Sequence, residues 1–409
     1  MSQSRIAAAS LRRIPAGGIE VVVPDGADVP TSVDTPESLE ALAGRTAAAT
    51  GDIAAALQLA VELGRALQNT AGPQQVLDSW EALATIAATD LTVARAVEPH
   101  LDALAILAEL GQTAGAHPDL AHVGVDATST WGVFAAEAPG HGLTATRSGD
   151  GWRIDGSKAW CSLAGRLSHA LVTAVDSAAV STAGDGTAPA SGAAPGGTVR
   201  RLFAVDLRHA GVTVDDSTWV AKGLSEIPSG PVRFDGVAAV PVGAAGWYLE
   251  RTGFAWGGIG VAAVWWGGAL GVARAIDRRV RSGTPDQIAL MHLGGADVSI
   301  ETGRLALLDA AAQVDAAQVD ASAHSTGHGE PAQRAAARIL ALRTRTIVAG
   351  AAEDILRRAA HALGPSPLAL DPVHAARVAD LELYIRQHHA ERDESALGSA
   401  LRDTGAQSW

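Results

Sequence analysis

Trp131–Asp176 reads WGVFAAEAPGHGLTATRSGDGWRIDGSKAWCSLAGRLSHALVTAVD. Short apolar runs alternate here with glycine-containing turns, the pattern of strands joined by tight connections. Upstream and downstream the chain is Ala-rich, with apolar residues at helical spacing. The predicted fold class is mainly α with a β domain: an N-terminal helical domain, a middle β-barrel-like domain and a C-terminal four-helix bundle.

Working outward, residues 1–34 are Pro/Gly/Val-rich and read as an irregular arm. Thr35-Pro36-Glu37 has the chemistry of a helix start and opens a helical domain over residues 35–122. Pro99 and Gly111 suggest boundaries within it. The β domain spans residues 123–245. WGVFAAE, WRIDGSKAW, HALVTAV, RRLFAVDL, VTVDDSTWVA and GPVRFDGVAAVP read as its strands, with tight turns expected at Asp150-Gly151 and Asp155-Gly156. Residues 177–198 are low in complexity and read as a flexible hairpin loop. Residues 246–409 return to the helical pattern, with main helices expected near 257–281, 285–319, 331–363 and 371–393.

A net charge of −13 argues against a nucleic-acid partner. The one cysteine, Cys161, excludes an intrachain disulfide and a cysteine-based metal site, and fits a reducing, cytoplasmic location. No signal peptide is expected, because the N-terminal residues lack a long apolar core. Gly253–Ala273 is uncharged over a length that could cross a bilayer. Its seven glycines, in an acidic chain with no second such stretch, favour a buried helix in close contact with its neighbours, and no membrane partner.

The order helices, β domain, helices resembles the acyl-CoA dehydrogenase superfamily from about residue 35 to 400. The resemblance is carried by Ala136-Glu137-Ala138-Pro139-Gly140-His141-Gly142, then Asp150-Gly151-Trp152 and Gly156-Ser157-Lys158-Ala159-Trp160-Cys161-Ser162. It implies an FAD cofactor, with Trp160 packed on the flavin, Cys161 in the same segment and Ser162 near flavin N5. An extended WCS segment would set Trp160 and Ser162 on one face. The resemblance further implies that Phe134, Ala136 and Glu137 run along the flavin edge and that Gly142 and Thr144 lie at the diphosphate. Arg281 is the nearest match to an arginine that reaches a neighbouring subunit's cofactor, so a homodimer or homotetramer is implied. His361 and Gly364 stand where the family touches the adenylate half.

The tail departs from the pattern. Asp371 occupies the position of the family's catalytic glutamate, nine residues before Asp380. As Asp371-Pro372 it equally reads as a helix cap. His388 and His389 replace a flavin-contacting segment, His388 as a proton-transfer candidate and His389 as a cofactor contact, with at most one expected to face the site. No third ligand is spaced to make them a metal site. The resemblance implies α-proton abstraction and hydride transfer from a small-molecule acyl (acyl-CoA-like) substrate. Flavin-dependent monooxygenation of an amine, or a non-catalytic binding homologue, stands as the alternative.

Overall fold

The computed structural model describes residue 11 and residues 38–69, 75–114, 117–180, 198–323 and 331–405. The expected irregular arm, apart from Leu11, and the Thr35-Pro36-Glu37 start lie outside these residues.

Four helices come first: Leu39–Ala49 (α1), Ile53–Asn69 (α2), Gln75–Thr89 (α3) and Leu91–Ala114 (α4). Short polar side chains set the starts of α1, α2 and α4. Ser38 Oγ accepts the Ala41 N–H at 3.2 Å, Asp52 Oδ1 those of Ala54 and Ala55 at 2.9 and 3.1 Å, and Asp90 Oδ1 that of Val93 at 3.0 Å. The boundaries expected at Pro99 and Gly111 do not occur, since α4 runs through both. Proline removes one helical hydrogen bond. Val97, Leu101, Ala103, Ile106 and Leu110 keep one side of α4 buried, and this packing holds the helix together across the proline.

The strands are Trp131–Phe134 (β1), Gly142–Ser148 (β2), Gly151–Lys158 (β3), His169–Val180 (β4), Thr198–Asp206 (β5), Val212–Val214 (β6) and Val232–Val242 (β7). β2 pairs with β3, β3 with β7, β7 with β5, β5 with β4 and β4 with β2, so the sheet closes on itself. β1 adds in parallel to β4, and β6 antiparallel to β7. Successive residues face opposite sides of a strand. Ala170, Val172 and Ala174 of β4 accordingly join Ile154, Phe203 and Val237 in one core. Leu171 turns the other way and, with Leu202, Ala204 and Val242, packs on Ala103, Ile106 and Leu110 of α4. This contact fixes the β structure against the first helices.

Three local expectations change. Asp155-Gly156 is no turn: Gly156 sits inside β3 at φ +123°, at a register shift against β7. A Cβ there would stand 2.2 Å from the Gly142 carbonyl oxygen, which is why glycine is needed. VTVDDSTWVA is strand only over Val212–Val214, because the Asp215 side chain caps a short 3₁₀ turn at Asp216–Thr218. The loop expected over residues 177–198 is strand at both ends, with Val180 opposite Thr198, and residues 181–197 fall outside the described chain.

The remaining helices are Trp247–Glu250 (α5), Thr252–Arg281 (α6), Gln287–Ala323 (α7), Pro331–Leu363 (α8), Pro365–Leu370 (α9), Pro372–Tyr384 (α10) and Glu391–Thr404 (α11). The single helix expected over 371–393 is interrupted. α10 ends at Tyr384, a 3₁₀ turn covers Ile385–Gln387, and Ala390 takes φ +49° before α11. The uncharged stretch forms most of α6, and 78% of its most apolar window is buried inside the fold.

The glycines of α6 explain how it buries. A Cβ at Gly267 would lie 2.2 Å from the Ala84 carbonyl oxygen, and one at Gly271 3.1 Å from that of Ala88. Small residues four apart on α3 and α6 thus let two backbones touch. Gly267→Ala is expected to destabilise the chain by about 1–3 kcal/mol through overpacking. Gly350→Ala, on an exposed position of α8 with open space around it, is expected to be neutral or to stabilise by about 0.5–1 kcal/mol. Urea denaturation of the two variants side by side checks this.

Candidate functional site

β3 stops at Lys158, and the chain then turns sharply. Trp160 has φ +60° and Leu163 φ +57°, a backbone region that non-glycine residues occupy at a cost. The turn is pinned to the loop before β7. The Cys161 N–H donates to Gly230 O at 3.1 Å and the Leu163 N–H to Pro228 O at 2.8 Å. The WCS segment is therefore not extended, and its residues do not share a face as a strand would place them. Trp160 is 59% exposed while Ser162 is 8% exposed. A large aromatic held outward in a strained turn is an unusual use of apolar surface, and it offers a ready wall for a planar ring. Cys161 lies inward, its Sγ donating to Lys158 O at 3.3 Å. Burial pushes its thiol up to about 12, so it stays protonated.

Ser162 is the outer member of a buried polar chain. Arg95 on α4 donates from Nη2 to Ser162 Oγ at 2.9 Å and from Nη1 to Glu98 Oε2 at 3.1 Å. The Tyr384 hydroxyl, at the end of α10, donates to the same Glu98 oxygen at 3.2 Å. Ser162 Oγ also lies 2.8 Å from Ser229 Oγ, which reaches Ile227 O at 3.1 Å. Burial pushes the Glu98 carboxyl above the usual carboxylate range, against the pull of the Arg95 cation. Burial and the nearby Glu98 raise the Tyr384 phenol well above its ordinary value.

Arg95, Glu98, Tyr384 and Ser229 were not singled out from the sequence. The available signal was polar residues at positions 95, 98 and 102, which lie along one side of a helix. Reading Pro99 as a break hid that spacing. His100 and Asp102 also lie on α4. Burial lowers His100 to about 4, so it is neutral, and its Nδ1 has no partner among the described residues. The Asp102 carboxylate accepts no hydrogen bond among the described residues; it stands against Gly257 of α6, where a Cβ would lie 3.0 Å from Oδ1. Burial raises its carboxyl, with Arg251 opposing.

His388 adjoins this chain. It is buried, its Nε2 3.1 Å from Thr346 Oγ1 and 3.7 Å from Asp393, and its ring meets the edge of Trp265. Burial lowers its pKa, with Asp393 opposing, and the Arg345 cation lowers it further. Arg345 also bears on Glu98, so the two groups share a charged neighbour. His389 is 65% exposed and meets Asp393 at 3.3 Å. The pair diverges as expected, although through a break between helices rather than around one.

The other expected residues lie elsewhere. Asp371 caps α10, its Oδ1 accepting the Val373 and His374 N–H groups at 3.0 and 3.1 Å. It stands at the opposite end of α10 from Tyr384, about 14 Å from Asp380 along the axis. Arg281 is exposed and bonded to Asp277 at 2.7 Å. His361 is exposed, its ring 6.1 Å from that of His292. Gly364 takes φ +67° between α8 and α9.

Around the expected cofactor edge, Phe134 is buried and Ala136 exposed. Gly142 lines a groove of about 480 Å³ with Gly140, Ser157 and Arg233, and with Asp155 and Asp235. Thr144 is exposed on β2, outside that lining. The Glu137 side chain is engaged structurally. It takes the buried Lys158 ammonium at 2.7 Å, and Lys158 also reaches Thr173 Oγ1 at 2.8 Å. Glu137→Gln leaves that cation without its counter-charge and is expected to cost about 3 kcal/mol. Adding Lys158→Met is expected to restore much of the loss. Chemical denaturation of the single and double variants measures both.

No family model matches the chain, and no curated protein does. Solved structures do. FMN-bound TdsC from Paenibacillus sp. A11-2 is 18% identical over 87% of this chain and 94% of that one, with a TM-score of 0.68. KijD3 in complex with FMN and dTDP-3-amino-2,3,6-trideoxy-4-keto-3-methyl-D-glucose is 19% identical over 90% and 92%, with a TM-score of 0.69. Methanesulfinate monooxygenase MsuC from Pseudomonas fluorescens is 15% identical over 92% and 99%, with a TM-score of 0.67. At these identities the likeness concerns the fold. It is the acyl-CoA dehydrogenase fold that the sequence resembles.

Proposed function

We propose that the chain is a flavin-dependent monooxygenase acting on a small molecule, and that its flavin packs on Trp160. The observation that carries this reading is the state of Asp371. Dehydrogenation of an acyl thioester needs a carboxylate base within reach of the α-carbon. Asp371 is engaged as a helix cap at the end of α10 remote from Glu98 and Ser162. Monooxygenation does not require that base. The fold likeness to the dibenzothiophene monooxygenase TdsC and to the methanesulfinate monooxygenase MsuC supports the same choice.

The exposed Trp160 and the groove beside Gly140 and Gly142 fit such a cofactor, the first as a ring wall and the second as a place where backbone lets a phosphate approach. FMN is favoured over FAD, because TdsC and KijD3, which share the fold, hold FMN. Arg233 and Ser157 would then meet the FMN phosphate, with Asp155 and Asp235 on the rim of the same groove. When bound, reduced flavin supplies the activation of oxygen. The chain's own part is to exclude water and hold protons: Glu98 and Tyr384 in a buried bond, His388 neutral against Thr346. A homo-oligomer remains part of this proposal through Arg281, whose implied target lies on another copy.

Supplied with reduced FMN, oxygen and a panel of small amines, the protein is expected to place an atom of labelled oxygen in product. Asp371→Ala is expected to keep turnover within about twofold and to lose about 1 kcal/mol of stability, the worth of a cap. Flavin reduction by acyl-CoA thioesters that disappears in Asp371→Ala contradicts the proposal.

A further inference from the structure

The C-terminal end of α3 gathers cations from two other helices. Small residues bring α6 against it, so close that a Cβ at Gly271 would lie 3.1 Å from Ala88 O. One turn on, Arg274 donates from Nη1 to Ala88 O at 3.4 Å. From α10, Arg377 donates from Nη2 to the next carbonyl, Thr89 O, at 2.8 Å. Arg278 follows Arg274 by four residues, so the two share one side of α6. The Arg278 side chain is exposed and makes no hydrogen bond or ion pair among the described residues.

The three cations crowd one another. Burial lowers the pKa of Arg274, and Arg377 and Arg278 lower it further. Arg377 is lowered by burial and by Arg278, with Asp90 and Asp371 opposing. His374, buried on α10 just before Arg377, is lowered by burial, held up by Asp371, and lowered again by Arg278 and Arg377. The acidic neighbours are thus two aspartates, and each spends an oxygen on a helix start. Asp90 Oδ1 takes the Val93 N–H, and Asp371 Oδ1 those of Val373 and His374. Three full cations meet two engaged carboxylates and the partial negative charge of one helix end. An arginine does not shed its proton to relieve such crowding. An anion held by the guanidinium forks offsets it directly.

We infer that Arg274, Arg278 and Arg377 form a binding site for a phosphate group where α3, α6 and α10 meet. Three forks from two helices suit a tetrahedral dianion, which has an oxygen to offer each of them. A carboxylate, planar and singly charged, matches the set less well. The phosphate comes either as the free ion or as the ester of a small molecule. Val373, 58% exposed and one turn before Arg377, offers an apolar contact to the organic part of an ester. The site shares no residue with the groove of Gly140, Ser157 and Arg233, and it does not depend on the flavin proposal.

Calorimetric titration with inorganic phosphate and with phenyl phosphate, in chloride of matched ionic strength, tests this. The wild-type chain is expected to bind both. Tighter binding of phenyl phosphate assigns the site to an ester, and equal binding to the free ion. Arg278→Met is expected to weaken binding by roughly tenfold or more, the worth of a charge-assisted hydrogen bond. Arg233→Met, in the groove, is expected to leave this binding in place. Arg377→Met also removes the bond to Thr89 and lowers stability for that reason, so the exposed Arg278 carries the test. Melting gives a second reading that a purely structural arginine would not. In phosphate-free buffer of low ionic strength, Arg278→Met relieves repulsion and is expected to melt above the wild-type chain. In saturating phosphate the order is expected to reverse. Absence of phosphate binding, an affinity unchanged in Arg278→Met, or the same melting order in both buffers overturns the inference. Binding that is lost in Arg233→Met and kept in Arg278→Met belongs to the groove, which overturns the inference and leaves the flavin proposal standing.

Discussion

The hydrogen bond from Arg95 to Ser162 joins two parts of the molecule that no continuous element connects. Arg95 belongs to α4, one of the first helices, and Ser162 to the turn after β3. The turn needs outside support, because Trp160 and Leu163 hold left-handed backbone conformations. Support comes from α4 through Arg95 and from the loop before β7 through Gly230 and Pro228. Beneath it, the contact of Leu171, Leu202 and Val242 with α4 keeps the sheet where the bond can form. Trp160 points outward because everything around it in the turn is tied down.

The tail is organised by a second pin. The Asp380 carboxylate accepts the Leu224 N–H at 2.6 Å and the Thr92 hydroxyl at 3.3 Å, and Gly223 passes so close to Ala379 that a Cβ would lie 2.0 Å from its carbonyl oxygen. This sets α10 so that Tyr384 meets Glu98. The same helix carries Asp371 at its far end. One rigid element thus sets the tyrosine against Glu98 and the aspartate at the far end, as a helix cap.

Much of this architecture was legible from pattern. Alternating strands, the uncharged run of α6 and the Lys158–Ser162 segment all produce strong local signals, because burial on one face forces periodicity. Gly267 and Gly271 were recognisable as close-packing residues, although not which helix they met. The site was legible only in part. Trp160, Ser162 and His388 stand out in the sequence as candidates, but the extended geometry expected for Trp160–Ser162 does not occur, since a positive φ at tryptophan leaves no mark in the sequence. Arg95, Glu98 and Tyr384 are ordinary residues until tertiary packing brings them within hydrogen-bond distance. Asp371 shows the converse. Its Asp-Pro context described its structural role well, while its position in an aligned motif suggested a chemical one.

The proposed function requires flavin to lie against the Trp160 turn. A visible difference spectrum recorded while the wild-type chain and its Trp160→Ala variant are titrated with FMN addresses that directly. A perturbed flavin spectrum saturating at one FMN per chain, weakened about tenfold or more in a variant that remains fully folded, is expected from loss of a stacked aromatic wall. Equal binding by the two proteins, or none by the wild type, contradicts it.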